Sequence, residues 1–155
     1  KERGYKIVYD GERWREGIED IMETADYFIP TAGFLDEKEL GGEGLSWAER
    51  MMKLKEQVKG SLIVTAGDQG AYFFIESRLF QVPPPPLTAV DTIGAGDNFH
   101  AAFALALSRG FDLPRAVRFS VAVASLSCRD YGGRQGIPQW QEAVQTAACL
   151  ACIPV

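Results

Sequence analysis

A run of seven residues in the second half of the sequence has the composition of a site for phosphate chemistry. Residues 91–97 read D-T-I-G-A-G-D and lie between a predicted strand and a predicted helix. Gly94, Ala95 and Gly96 carry little or no side chain, so an anion can approach their backbone N–H groups at the positive end of the helix dipole. Asp97 follows directly and could orient an attacking hydroxyl and accept its proton. The run therefore predicts an anion hole and a base for phosphoryl transfer.

Simpler roles for the same residues compete with catalysis. Asp97 could only cap the helix, and the glycines could only turn the chain. The run is not a Walker loop, because no Gly-Lys-Ser/Thr follows, and it is a poor dinucleotide fingerprint, because Phe99 stands where a third glycine is required. This weakens the case for a nicotinamide-dependent oxidoreductase and leaves a kinase and a non-catalytic nucleotide-binding protein open.

The composition limits the classes of protein and partner. The chain has 155 residues, of which 46% are hydrophobic and 24% charged, as expected for one soluble globular domain. Lys and Arg total 16 against 21 Asp and Glu, and the net charge of -5 argues against nucleic acid or an anionic membrane as partner. No apolar stretch reaches the ~18 residues that a transmembrane helix needs.

Three cysteines lie near the end of the sequence, at Cys128, Cys149 and Cys152. The last two form a C-x-x-C, but no second pair and no histidine cluster accompanies it. We therefore expect buried helix thiols rather than a zinc or redox site. The odd number of cysteines fits a reducing, cytoplasmic setting.

Predicted strands and helices alternate along the chain. Strands are expected at residues 7–9, 27–29, 61–65, 71–75, 79–82 and 87–90. Helices are expected at residues 16–24, after the Ser46 cap, at 98–109, from the Asp112 cap to about 128, and after Pro138. This alternation predicts an α/β fold with a mainly parallel sheet between helices. Such sheets bind ligands at the carboxyl ends of their strands, where both glycine clusters are predicted.

Residues 91–99 (D-T-I-G-A-G-D-N-F) resemble the D-T-x-G-A-G-D-x-F signature of the ribokinase-like carbohydrate kinases of the phosphofructokinase-B type. Three further segments resemble features of this family in order and spacing. The features are the T-x-G-x-x-G turn that lies along the nucleotide, the helix that flanks the adenine, and the loop that closes the site. These segments are residues 65–70 (T-A-G-D-Q-G), Arg118 and Phe119 with residues 122–127, and residues 131–138 (Y-G-G-R-Q-G-I-P).

The resemblance covers almost the whole chain but only the C-terminal half of a usual family member. It implies the ribokinase-like three-layer sandwich, with residues 1–155 as its C-terminal, ATP-binding and catalytic part. The family's N-terminal half, with its sugar-binding segment and lid strands, does not appear, and the sequence begins with Lys1 rather than Met. We therefore expect a segment of a larger kinase that is poorly active alone.

The resemblance also implies roles for individual residues. Asp97 would be the catalytic base, and Gly94, Ala95 and Gly96 the anion hole. The residues that contact ATP would be Thr65, Gly67, Asp68, Gly70 and Gly96. A monovalent cation such as K⁺ would stiffen the anion hole, held by Asp91, Ile93, Ser127, Asp130, Gly132 and Gly136. Alternatively, Asp91 only satisfies loop amides.

We therefore expect a cytoplasmic sugar kinase that uses ATP and Mg²⁺ and acts on a small-molecule sugar. A nucleoside or sugar-phosphate kinase of the same family stays open, as does a homodimer of the complete protein. One departure affects magnesium: residues 31–34 read T-A-G-F where the family usually has N-x-x-E. Magnesium would then be held by ATP itself, through water, or by residues such as Asp36 or Glu37. This departure also supports the alternative of a non-catalytic remnant.

Two more side chains near the motifs are candidates for substrate contacts. His100 could face the sugar pocket or be a helix residue that is satisfied locally. Arg134 could reach a phosphate or an acidic group, or it could be an exposed arginine of its loop.

Overall fold

The computed structural model of the chain describes residues 4–155, and five α-helices and six strands occur among them. Lys1 to Arg3, where the expected segment of a larger kinase begins, lie outside the described residues. The described chain forms two compact units. The first comprises the residues up to Ala66 together with Phe73–Ser77, and the second comprises Gly67–Tyr72 and Arg78–Val155.

The first unit contains three parallel strands, β1 (Val8–Gly11), β2 (Tyr27–Pro30) and β3 (Ser61–Thr65). Val8 of β1 lies opposite Tyr27 of β2, which in turn lies opposite Ser61 of β3. The apolar centres of β2 and β3 are fully buried, as expected for parallel strands. The predicted parallel strands are confirmed, with β1 beginning one residue later than expected and extending to Gly11.

Two α-helices belong to the first unit, α1 (Ile18–Thr24) and α2 (Trp47–Gln57). The capping box predicted for α2 is confirmed: the N–H of Glu49 donates to Ser46 Oγ over 3.3 Å, and the N–H of Ser46 donates to the Glu49 carboxylate over 2.7 Å. Two short 3₁₀ turns, Ala32–Asp36 and Lys38–Leu40, follow β2 and were not predicted.

The second unit contains the other three helices, α3 (Ala95–Ser108), α4 (Leu113–Ser127) and α5 (Trp140–Cys149). Asp112 caps α4 as predicted, since its Oδ1 accepts the N–H of Arg115 over 3.0 Å. The helix α3 begins three residues earlier than expected, so the Asp97 side chain projects from its first turn. Five apolar helix residues with fully enclosed side chains form the core: Phe103, Ala106, Ala116, Val117 and Ala122.

Strand β4 (Ala71–Ile75) and strand β5 (Arg78–Val82) are joined by a turn in which Glu76 has a φ of 55°. Strand β6 (Ile153–Pro154) pairs antiparallel with β5. The expected strand at residues 87–90 is wrong, because this segment is tied to the end of α4 instead. The N–H groups of Val90 and Asp91 both donate to the carbonyl of Cys128, over 2.8 and 3.2 Å.

The three thiols differ in exposure: Cys128 is buried, Cys152 is half-buried and Cys149 is exposed, and all three are free. The expectation of buried helix thiols is therefore wrong for Cys149, which is exposed in the last turn of α5, and for Cys152, which lies beyond that helix and is only half-buried. Among residues 4–155, no group of three or more His, Cys, Asp or Glu side chains could hold a metal ion. No helix in this part of the chain is long and apolar enough to cross a membrane.

Candidate active site

The first turn of α3 is built by a glycine that the backbone requires. Gly94 precedes the helix with φ 74° and ψ 5°, the left-handed conformation that side chains disfavour. A Cβ at Gly94 would also lie 3.3 Å from the Cα of Gly133. Both constraints fix a sharp entry into α3, with the loop of residues 131–136 packed directly against it.

The N-terminus of α3 presents backbone donors that lack protein partners. The N–H of Ala95 donates to the Thr92 carbonyl over 3.2 Å, and that of Asn98 to the Gly94 carbonyl over 2.9 Å. Between them, the N–H groups of Gly96 and Asp97 donate to no carbonyl in the described part of the chain. A Cβ placed on Gly96 would meet nothing within 4 Å, so no other part of the chain crowds this glycine. The geometry can receive an anion.

The carboxylate of Asp97 is exposed and forms no hydrogen bond or ion pair with any residue in 4–155. It does not cap α3, since the N-cap is Gly94 and no side chain makes the cap bond. The alternative in which Asp97 only caps the helix is therefore wrong. The carboxylate stands in the same helical turn as the open N–H groups, where the helix dipole favours its negative charge.

Asp91 joins the loop before α3 to the loop after α4. Its Oδ1 accepts the N–H of Ile93 over 2.9 Å, and its Oδ2 accepts the N–H of Gly132 over 2.8 Å. These two N–H groups hold the pKa of the Asp91 carboxyl below its ordinary value, because they stabilise its ionised form. Asp91 thus acts as a clasp between two loops that are 41 residues apart in the chain.

A second clasp was missed by the sequence analysis. The side-chain amide of Asn98 donates to the carbonyl of Gly133 over 3.1 Å. A Cβ on Gly133 would lie 3.0 Å from the carbonyl oxygen of Ile93, so the two loops touch backbone to backbone. The only signal in the sequence was a polar residue directly after Asp97, which does not by itself reveal its partner.

The six residues expected to hold a monovalent cation divide into three sets. Asp91, Ile93 and Gly132 are brought together by the first clasp. Gly136 is buried against the end of α4, where a Cβ would lie 2.2 Å from the carbonyl oxygen of Ser127. Asp130 is exposed and hydrogen bonds to no described residue.

The expected nucleotide turn is divided between the two units. Thr65 ends β3 in the first unit, and its hydroxyl lies 3.5 Å from the Pro30 carbonyl. In the second unit, a 3₁₀ turn Gly67–Gln69 leads into Gly70, whose φ is 79°. A Cβ on Gly70 would lie 2.0 Å from the carbonyl oxygen of Val82, so only glycine fits there. Asp68 is exposed on this turn.

The remaining candidates are His100 and Arg134 for substrate contacts and two acidic residues for magnesium. The Nδ1 atom of His100 lies 2.8 Å from the Gly96 carbonyl, so it carries the proton and donates. Arg134 is exposed, as are the apolar side chains of Ile93 and Tyr131 on the two clasped loops. Of the two acidic candidates for magnesium, Asp36 is ion-paired with Arg50.

Acidification should release the Asp91 clasp. A lowered pKa means that the stabilisation is complete above the ordinary carboxyl pKa of about 3.9 and is lost as the pH falls through the lower pKa of the folded chain. The amide proton shift of Gly132, followed by NMR, should titrate with a midpoint below that ordinary value. Asp91→Asn should abolish the titration, whereas Asp130→Asn should preserve it. A midpoint at or above the ordinary value would contradict the clasp.

Comparison with known proteins identifies the family. The profile of the pfkB family carbohydrate kinases matches residues 1–140. The ribokinase of Lactococcus lactis is 30% identical over 142 residues, which are 92% of this chain and 45% of that protein. The nucleoside kinase of Methanothermobacter thermautotrophicus is 37% identical over 92 residues, or 59% of this chain and 29% of the relative.

The fold agrees with that result. The crystal structure of a ribokinase from Thermotoga maritima matches with a TM-score of 0.77 at 28% identity, covering 94% of this chain and 50% of that one. The chain thus spans half or less of the length of these relatives. With the α/β fold of the ribokinases and a profile match over most of its length, the chain belongs to the pfkB family of carbohydrate kinases.

Proposed function

We propose that this chain binds ATP with Mg²⁺ and supplies the anion hole and the base for phosphoryl transfer to a sugar hydroxyl. One observation carries the proposal: an exposed carboxylate without a protein partner, Asp97, shares a helical turn with two open N–H groups, those of Gly96 and of Asp97 itself. Family membership supports it, since the relatives are named sugar and nucleoside kinases. Either acceptor would offer a hydroxyl of a sugar ring.

The reaction uses these groups in two roles. The N–H groups of Gly96 and Asp97 donate to the oxygens of the transferring phosphoryl group, where negative charge is concentrated. The acceptor hydroxyl donates to Asp97, which takes the proton as the hydroxyl oxygen bonds to phosphorus. The bond from phosphorus to the β–γ bridging oxygen breaks, and ADP leaves. A Cβ on Gly96 would meet no other part of the chain within 4 Å, which supports the approach of the phosphoryl group to these donors.

Nucleotide and magnesium are bound by different means in this proposal. Thr65, Gly67, Asp68 and Gly70 contact the ATP. Magnesium keeps several waters and uses the ATP phosphates as its main ligands. Two features of the first unit support this arrangement, since residues 31–34 (T-A-G-F) offer no carboxylate and Asp36 is engaged by Arg50.

Because the chain spans about half the length of its relatives, we propose that it is the C-terminal catalytic part and that the acceptor is held mainly by residues outside it. The net charge of -5 supports an enzyme acting on small molecules rather than on nucleic acid or a membrane surface. The three free cysteines support a reducing, cytoplasmic setting. The mass of the complete protein in solution would show whether it forms a homodimer.

A non-catalytic nucleotide-binding protein is the second candidate, favoured by the missing N-x-x-E motif at residues 31–34. Both candidates predict ATP binding to this chain by calorimetry. Only the kinase predicts that turnover in the complete protein depends on the Asp97 carboxylate.

Replacing the base separates the two candidates. Asp97→Asn should leave ATP binding intact and lower kcat by at least ~10²-fold in the protein expressed from its complete coding sequence, because an amide cannot accept the proton. Asp20→Asn is a matched control, since Asp20 is also an exposed third residue of a helix, α1. ADP release with several aldoses, ketoses and nucleosides measures kcat. Near-normal kcat in Asp97→Asn would refute the assignment of the base.

Blocking the anion hole should act on binding itself. In Gly96→Val, the methyl groups would fill the space before the N–H donors, and ATP affinity should fall by about tenfold or more, the loss of one charge-assisted hydrogen bond. The ATP affinity of Gly96→Ala should lie between those of the unmodified chain and Gly96→Val, because the added Cβ meets no protein atom. Ala104→Val, at an exposed position of α3, controls for helix propensity. Unchanged ATP affinity in Gly96→Val would place the phosphates elsewhere.

The proposed cation site predicts a dependence on potassium. Each carboxylate oxygen of Asp91 accepts one N–H and keeps lone pairs for a cation beside the clasped loops. Activity of the complete protein should therefore rise when K⁺ replaces Na⁺ at matched ionic strength, and Asp91→Asn should reduce the difference. Identical rates in the two salts would mean that Asp91 serves only the loop amides.

A further inference from the structure

A small cleft lies between α4 and α5 in the second unit, with a volume of about 210 Å³. Its walls combine two arginines with aromatic and aliphatic side chains: Phe111, Arg115, Arg118, Phe119, Val144 and Ala147. None of the residues that line it is acidic. The cleft is therefore positively charged and apolar at once, in a chain whose net charge is -5.

Arg118 is the unusual member of this set. Its Nε atom is buried and has no hydrogen-bond partner in the part of the chain that the structure describes. A buried donor without a partner is costly, and most such groups in folded proteins are paired. Arg115 lies beside it, with its Cζ atom 4.4 Å from the centre of the Phe111 ring. Stacked in this way, a guanidinium keeps donors at its edge for another group.

Neither arginine forms an ion pair within residues 4–155. Cys152 lies within electrostatic range of Arg118, but burial raises the pKa of its thiol, so it stays uncharged near neutral pH. Asp112 is committed to capping α4 through the N–H of Arg115 and forms no ion pair with either guanidinium among the described residues. Because neither guanidinium forms a hydrogen bond with any described residue, the donors of Arg115 and Arg118 that line the cleft are available to an external anion.

The size and walls of the cleft define the class of ligand. A cavity of about 150 Å³ holds benzene, whereas pockets for drug-sized ligands begin near 300 Å³. The side chains of Phe111, Phe119 and Val144 suit a flat or apolar body rather than a polar one. We propose that this cleft binds a small organic anion, in which a single ring or short carbon body carries one phosphate or carboxylate group held by Arg115 and Arg118.

This site is separate from the proposed catalytic site. Arg118 precedes Cys128 by ten residues of α4, which corresponds to about 15 Å along the helix, and it is the Cys128 carbonyl that holds the Asp91 loop. Arg118 and Phe119 belong to the segment that resembles the adenine-flanking helix, whereas Phe111, Val144 and Ala147 lie outside every nucleotide motif of the sequence. The cleft is also too small for a whole nucleotide, so the proposal does not rest on the kinase activity.

The test is a binding experiment on the chain as it stands. Phenyl phosphate and benzoate, which combine a ring with an anion, are titrated while the Nε–H resonance of Arg118 is followed by ¹H–¹⁵N NMR. At least one of them should shift that resonance with a Kd of about 1 mM or below, and calorimetry should give the same value. Inorganic phosphate has the anionic group without the ring, and phenol has the ring without the anionic group. Each should bind at least about tenfold more weakly.

Variants locate the binding. Arg118→Gln should weaken binding of the ring anion by about tenfold or more, the effect of losing a charge-assisted hydrogen bond. Arg78→Gln, which removes an exposed arginine of β5, should leave the affinity unchanged. If Arg118→Gln fails to fold, as judged by circular dichroism, two other measurements test the proposal. They are the affinity of Arg115→Gln for the ring anion and the shift of the Arg118 resonance in the unmodified chain.

Several results would overturn the proposal. One is that neither ring anion shifts the Nε–H resonance of Arg118 at concentrations up to about 10 mM. Another is that a folded Arg118→Gln variant binds the ring anion with undiminished affinity. The others are that inorganic phosphate binds as tightly as the ring anion, and that ATP displaces the ring anion competitively. Loss of binding in Gly96→Val would likewise place the anion at the N-terminus of α3 instead.

Discussion

The backbone contact between the loop before α3 and the loop after α4 is the constraint on which the site depends. Gly94 and Gly133 approach so closely that a Cβ on either would meet the other loop at 3.0–3.3 Å. Asp91 and Asn98 then lock the two loops with one carboxylate and one amide. The orientation of the first turn of α3, and with it the direction of the open N–H groups, follows from this contact rather than from the helix alone.

Local features were predictable where local physics determines them. The bounds of β3 and β4 were predicted correctly because each is an apolar run between glycines or polar turn residues, and the α2 capping box is formed by residues three apart. The sequence also pointed to residues 94–97, because small residues leave backbone N–H groups accessible directly before a carboxylate and because the run resembles the family signature. The start of α3 was set too late, because Gly96 lowers the helix propensity of a turn that tertiary contacts nonetheless stabilise.

Features that depend on distant partners were missed. Residues 87–90 have a strand-like pattern, but the Cys128 carbonyl takes both N–H groups that end the segment. β6 has only two residues and exists through its pairing with β5. The bond from Asn98 to Gly133 joins residues 35 apart. In each case the deciding hydrogen bond is formed with a group that no local pattern reveals, so the α/β fold class was predictable from the sequence while the two clasps were not.

The distribution of tryptophans has a practical consequence for studies of folding. Trp14 and Trp47 belong to the first unit, where Trp14 stacks on Phe34. Trp140 is the only tryptophan of the second unit, and its ring packs against Phe119 and Phe111 at 5.0 and 6.1 Å. The sequence therefore carries a separate fluorescent reporter for each unit. Single-tryptophan versions of the chain would show optically whether the two units melt as one cooperative block or in succession.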